Sequence, residues 1–189
     1  DLRFYKSFNY DYLRKSDTRP VPDPWDVVDE EDSRFFPFVQ ISLERDISTV
    51  VGANESGKSQ VISAVKCLLT GDGIERRDFC RYSEMLVVDK EMAVPEFGGE
   101  FGDLTDDERE VVRGLLGADA DIPCDSFWMF RFNKRVTVYG RQAASGATAP
   151  VWLSKTLTDT QIEKITLPTF FEIQANVPLP SSVPLEYLT

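Results

Sequence analysis

One stretch of this chain, VVGANESGKSQV at residues 50–61, limits the possible folds more than any other part of the sequence. Glycines at positions 52 and 57 are followed by Lys58 and Ser59, the spacing GxxxxGK[ST] of a phosphate-binding loop. Such a loop joins a β-strand that enters it to an α-helix that leaves it. The sequence supplies both, because residues 47–51 are a β-branched run and apolar residues then recur at three- and four-residue steps until Gly71. The stretch therefore predicts an α/β fold.

The residue types in this loop indicate a nucleoside triphosphate, ATP, and Mg²⁺. Glycine permits the backbone angles that turn successive N–H groups toward a phosphate. Lys58 then reaches the β- and γ-phosphates as the predicted catalytic group, and the Ser59 hydroxyl ligates Mg²⁺. We expect the Glu55 side chain to point outward, with Asn54 nearer the γ-phosphate. The predicted ATP-binding residues are Gly52, Asn54, Glu55, Ser56, Gly57, Lys58, Ser59 and Gln60.

The composition argues against several other functions. The 189 residues contain 32 Asp and Glu against 21 Lys and Arg, a formal charge of -11, so the average surface repels nucleic-acid backbones. Three cysteines and no histidine argue against a zinc site and a disulfide framework. The first residues lack the basic-then-apolar layout of a signal peptide, and no stretch approaches the run of about 20 apolar residues of a membrane span. We therefore expect a cytoplasmic protein without a membrane partner.

The remaining pattern predicts one globular lobe over residues 1–189, because 42% of the residues are hydrophobic. Strands are predicted from alternating apolar residues, the helix at 105–116 from a capping box of Thr105 and Glu108, and loops from proline and clustered charge. The first half of the chain is predicted to hold an early strand within 2–13, an acidic proline-rich loop at 16–34, two tightly joined strands at 35–43 and 47–51, and the strand, phosphate loop and helix of 47–70. The second half is predicted to hold strands within 85–140, which include a hairpin around 133–134 and enclose the helix at 105–116, then a short helix at 158–165 and a strand at 167–174.

Single motifs indicate whether the chain could belong to another class of phosphate-loop protein. A Ras-like GTPase needs NKxD to read guanine, and the sequence NKRV at residues 133–136 ends in valine instead of aspartate. Small kinases place the loop on their first strand, whereas residues 1–46 precede it here. The sequence MLVVD at residues 85–89 has the form of a strand ending in a magnesium-positioning carboxylate. Asp89 is therefore a candidate, although any strand that ends in a charged turn has this pattern.

The segment FVQISLERDISTVVGANESGKSQVISAVKCLL, residues 38–69, resembles the N-terminal lobe of ABC-type ATPase heads of the SMC-like class. This group of AAA-family ATPases includes bacterial DNA-repair ATPases and the phage-defence nucleases named for overcoming lysogenization defect (OLD). Residues 5–8, YKSF, resemble the phrase on the first strand of these heads, and residues 51–59 match VGxNxSGKS. The resemblance extends over most of the chain, through GEFGDLTDDE at 99–108 and the segment that starts at residue 167, but only its phosphate loop is specific.

The resemblance implies one half of a bipartite head, with a mixed β-sheet around the P-loop helix. In the family, two heads hold ATP between the P-loop of one and the signature motif of the other, which implies a homodimer of ATP-sandwiched heads. The signature motif and the Walker B carboxylate lie in a C-terminal lobe that is missing here. Gln174, at the end of TFFEIQ, would be the glutamine that contacts Mg²⁺ and the γ-phosphate. DNA and an effector or nuclease subunit are further implied partners.

The expected function is that of the ATP- and Mg²⁺-binding half of an SMC- or OLD-like ATPase. Nucleotide-driven head dimerisation would serve DNA repair or anti-phage defence, and ATP hydrolysis would require the missing lobe. The chain opens on Asp1 without an initiator methionine, and we expect it to be a fragment of a longer protein. Two alternatives stay open: a small self-sufficient P-loop kinase, and a non-hydrolysing interaction module that nucleotide regulates.

Overall fold

A computed structural model describes seven segments of the chain, which are residues 1–8, 22–29, 34–80, 94–117, 124–132, 135–142 and 151–173. The fold combines α-helices with antiparallel β-strands. Its elements in chain order are β1 (Leu2–Arg3), β2 (Val27–Asp29), β3 (Arg34–Phe35), α1 (Lys58–Thr70), a short 3-10 turn (Arg76–Asp78), β4 (Glu96–Phe101), α2 (Asp106–Leu116), β5 (Phe127–Phe132), β6 (Arg135–Gln142), β7 (Val151–Leu157) and α3 (Asp159–Ile162).

Five strands form the main sheet in the order β1-β4-β5-β6-β7, and β2 and β3 form a separate two-stranded ribbon. Every pairing between described strands is antiparallel. A mixed sheet was the expectation, so in the described residues the sheet differs from it. For β5 and β6 the reason is local connectivity, because they are joined by a two-residue connection, which only antiparallel neighbours allow.

The two faces of the sheet are covered differently. One face packs against α1 and α2 through a mixture of aliphatic and aromatic side chains, with Met129 and Val138 almost completely buried at its centre. The other face carries an aromatic cluster in which the Trp25 ring stacks on Phe130 at 4.9 Å. A side chain at Gly98 would overlap the Phe130 ring, so glycine is what allows the ring to lie against this strand. The sheet therefore has a core on each side.

Arg3 fastens the segment that carries Trp25 to the edge of the sheet. Its guanidinium is buried, pairs with the Glu96 carboxylate, and donates to the carbonyls of Asp26 at 3.0 Å and Phe36 at 2.6 Å. Burial raises the pKa of Glu96, and the Arg3 charge opposes that shift. A buried arginine with these partners is a structural residue of the lobe.

Three helix predictions are confirmed, with the capping residues that the sequence indicated. Helix α1 ends at Gly71 in the left-handed conformation, and α2 ends at Gly117 in the same way. Thr105 accepts a hydrogen bond from the Glu108 N–H while the Glu108 carboxylate accepts from Thr105, which is the predicted capping box. Helix α3 lies within the predicted 158–165. The strand at residues 96–101 and the β5–β6 hairpin are also as predicted.

Several strand predictions are wrong. Residues 40–57 contain no strand, so neither the run at 47–51 nor most of 35–43 is paired, and residues 166–173 are also without a strand. Conversely, β2 lies inside the predicted loop at 16–34, and β7 was not predicted. The strand at residues 85–89 and the turn at 133–134 lie outside the described residues. Among those that are described, no helix is long and apolar enough to cross a membrane.

Candidate functional site

The phosphate-loop residues form a tight turn that leads directly into α1. The Ser56 N–H donates to the Ala53 carbonyl at 3.3 Å, and Glu55 adopts a left-handed φ of 64°. Gly57 precedes the helix with a φ of 95°, a conformation that side-chain-bearing residues rarely adopt. A Cβ at Gly57 would also lie 3.3 Å from the Phe8 ring. Both its backbone angle and its surroundings therefore favour glycine at position 57.

Lys58 folds back over the loop that precedes it. Its Nζ donates to the Gly52 carbonyl at 2.8 Å and to the Ala53 carbonyl at 2.5 Å. The ammonium is thus held beside the backbone of the turn, at the N-terminal end of α1. Because the first turn of this helix contains no acidic residue, the positive end of the helix dipole and the lysine charge act together. This is an arrangement suited to an anion.

The other predicted ligands lie around the same turn. Asn54, Glu55, Ser56 and Ser59 are exposed, which leaves their polar groups accessible from solvent. Gln60 is half-buried, and its Oε1 accepts a hydrogen bond from the Ser7 hydroxyl at 3.1 Å. The eight predicted ATP-binding residues lie close together because they are near neighbours in the sequence. Gln174 and Asp89 lie outside the described residues.

Two residues that support this segment were not predicted as part of the site. Ser7 bonds to Gln60, and the Phe8 ring lies against Gly57, so the YKSF phrase of residues 5–8 contacts the start of α1. In the sequence, residues 5–8 stood out only through their resemblance to a family phrase. Their contact with the start of α1 is visible only in the structure. These residues fix the loop from the side of the sheet.

Arg131 holds the opposite end of α1. Its Nε donates to the Leu68 carbonyl at 2.6 Å and its Nη2 to the Leu69 carbonyl at 3.3 Å. Burial lowers the pKa of this guanidinium, while the charge of Asp72 opposes the shift. The last turn of α1 has no basic residue of its own, so β5 supplies the cation that the helix C-terminus favours. The sequence signal that could have indicated this contact is the absence of a basic residue from the last turn of α1.

A groove of about 930 Å³ runs beside α1, away from the phosphate loop. It lies between α1, β4, and the segments at 40–45 and 166–168, and Val61, Val65 and Leu68 contribute to its wall. The segment 40–45 that lines this groove is followed by exposed apolar side chains, since Ile47 is 80% exposed and Val51 is 84% exposed. The run predicted to enter the loop as a strand is therefore apolar and uncovered in the described structure.

Within the described segments, no group of three or more His, Cys, Asp or Glu side chains is placed to hold a metal ion. Comparison with known proteins found no matching family model, no similar curated protein and no similar solved structure.

Proposed function

We propose that residues 52–60 bind the phosphates of ATP together with Mg²⁺. The observation that carries this proposal is the turn at 52–57, which combines a left-handed Gly57, the Lys58 ammonium and an unneutralised helix N-terminus. Backbone N–H groups at such a helix start, with a lysine beside them, are an established way to bind phosphate. In this assignment Lys58 contacts the β- and γ-phosphates and Ser59 ligates the metal.

The wider proposal is that the chain is the nucleotide-binding half of an SMC- or OLD-like ATPase in the cytoplasm. Its support is the sequence resemblance of residues 5–8 and 38–69, together with the exposed apolar run at 47–51. The assignment to DNA repair or anti-phage defence, with DNA and an effector or nuclease subunit as partners, rests on the resemblance alone.

The exposed run supports a completing lobe, on this polypeptide or on another. Covering a Val or Ile side chain is worth about 1.5–3 kcal/mol, so leaving Ile47, Val50 and Val51 in water is unfavourable. A lobe that paired a strand with residues 47–51 and filled the groove beside α1 would remove this cost. The same lobe would supply the signature motif and Walker B carboxylate that ATP hydrolysis and nucleotide-driven head dimerisation need.

Calorimetric titration of the whole chain with Mg·ATP tests the site directly. The variant Lys58→Ala should bind about 10- to 100-fold more weakly, because hydrogen bonds to charged groups contribute about 1.5–3 kcal/mol each. Lys66→Ala removes a lysine from the same helix, two turns further on, and should bind as the wild type does. Equal affinity of Lys58→Ala and the wild type, or no binding of Mg·ATP by the wild type, would refute the assignment.

A further inference from the structure

The two edges of the main sheet differ in how they are protected. At one edge β1 has only two residues, and its outer side is closed by Val39, which exchanges hydrogen bonds with Leu2 at 2.9 and 3.0 Å. At the other edge β7 has seven residues and pairs with β6 along its whole length. In the described part of the chain, no strand or bridge lies on the outer side of β7.

The sequence of β7, VWLSKTL, carries only one of the usual protections of an open edge, the charge of Lys155. Natural edge strands are kept from pairing by proline, by charged side chains and lysine above all, by bulges or by being short. β7 contains no proline and no glycine, its register with β6 is continuous, and Lys155 is its only charge. Ser154, Lys155 and Thr156 are exposed, and Val151 is 43% exposed. Among the described residues, the outer side of β7 is therefore open to a further antiparallel partner.

We propose that this partner is β7 of a second copy of the chain, related by a two-fold axis at Ser154. Antiparallel self-pairing centred there places Ser154 opposite itself and uses all seven residues. Lys155 then faces Leu153, Trp152 faces Thr156, and Val151 faces Leu157. A centre at Lys155 would bring two ammonium groups together, which is destabilising, and a centre at Leu153 would leave Thr156 and Leu157 without partners in β7.

This interface joins the two five-stranded sheets into one continuous sheet through a two-fold contact, the commonest symmetry of protein dimers. It uses neither the phosphate loop nor a bound nucleotide. The dimer is thus separate from the ATP-sandwiched dimer proposed above, and either one can exist without the other.

A single cysteine substitution tests both the pairing and its register. Residues directly opposite each other in an antiparallel pair have Cα atoms about 4.5–5.5 Å apart, within the range of a disulfide. Ser154→Cys should therefore form a reducible covalent dimer of the full chain under mild oxidation. In Thr156→Cys the two cysteines would lie about 13 Å apart along the strands, so the yield should fall by about tenfold or more. The native Cys67, Cys80 and Cys124 are buried and should not compete.

Sedimentation velocity without nucleotide gives the second measurement. The wild type should show a concentration-dependent dimer, whereas Ser154→Asp, which places two carboxylates opposite each other, should sediment as a monomer. Thr160→Asp introduces the same charge on exposed α3 and should leave the dimer intact. Because both positions are exposed, thermal unfolding should show both variants folded. A monomeric wild type would overturn the proposal, and it is the result expected if another segment or protein covers β7. Equal cross-linking of Ser154→Cys and Thr156→Cys would overturn it as well.

Discussion

The antiparallel sheet and the segment that carries the phosphate loop are stabilised in different ways. In the sheet, β4 to β7 pair along their lengths, and Met129, Phe130 and Val138 are almost completely buried between two covered faces. Residues 42–56 are exposed throughout, although several of them are as apolar as those of the sheet. The contrast indicates that contacts among the described residues bury the centre of the sheet, whereas the loop segment holds the residues of a site and an apolar run that nothing described covers.

The largest expected difference between the two regions is in the free energy of unfolding that a side-chain truncation removes. Phe130 has no exposed surface and contacts Trp25, Phe38 and Tyr139, so Phe130→Ala should lower the free energy of unfolding by about 4 kcal/mol. Val51→Ala should change it by no more than about 0.5 kcal/mol, since this side chain is already 84% exposed. Urea unfolding measures both, with Phe171→Ala, a half-exposed phenylalanine, as the matched control. Equal losses of unfolding free energy in Phe130→Ala and Val51→Ala would contradict this difference between the sheet and the loop segment.

Arg131 is one described link between the two regions, because it joins β5 to the end of α1. Arg131→Met should reduce the free energy of unfolding by about 2 kcal/mol, since the Leu68 and Leu69 carbonyls lose a charged donor. Arg141→Met, on an exposed position of β6, should have little effect. The comparison would fail if both variants unfolded at the same urea concentration.

The smallest expected effect is a pH dependence in the sheet region, at the helix α2 that packs on the sheet. Hydrogen bonds from the Thr105 N–H and hydroxyl lower the pKa of Glu108 below 4.5. Because the folded state has the lower pKa, this carboxylate stabilises the fold above pH 4.5, and the stabilisation disappears as the pH falls through the folded pKa. Glu108→Gln keeps a hydrogen-bond acceptor but removes the charge. Its urea-unfolding curve should therefore differ from that of the wild type at neutral pH, and the two curves should coincide in acid.

Urea unfolding at a series of pH values provides this measurement, with Glu110→Gln on the same helix as the control. Glu110 is exposed, and no hydrogen bond to Thr105 would be lost by changing it. A difference between Glu108→Gln and the wild type that persisted unchanged at the lowest pH would show that the capping carboxylate is not its source.

The features that the sequence predicted well are those that neighbouring residues determine. Thr105 and Glu108 cap α2, and Gly71 and Gly117 end their helices. Strand pairing depends on partners that can be distant in sequence, and several of the strand predictions fail there. The β-branched run at 47–51 has strand propensity but no partner in the described structure, whereas VWLSKTL in β7 has little alternation but is paired by β6. Arg131 was missed for the same reason, since its partners lie 62 and 63 residues away.

Hydrogen exchange of the full chain, followed by mass spectrometry with and without Mg·ATP, tests the central claim most directly, because it reports on the loop and the sheet together. We predict that Mg·ATP slows exchange of the amides at residues 52–61 in the wild type and in Lys66→Ala, but not in Lys58→Ala. Exchange in the β5–β6 hairpin, which is already paired on both sides, should be slow in every sample and unaffected by nucleotide. Unchanged exchange at residues 52–61 with saturating Mg·ATP, or protection that persists in Lys58→Ala, would contradict the assignment of this turn as the nucleotide site.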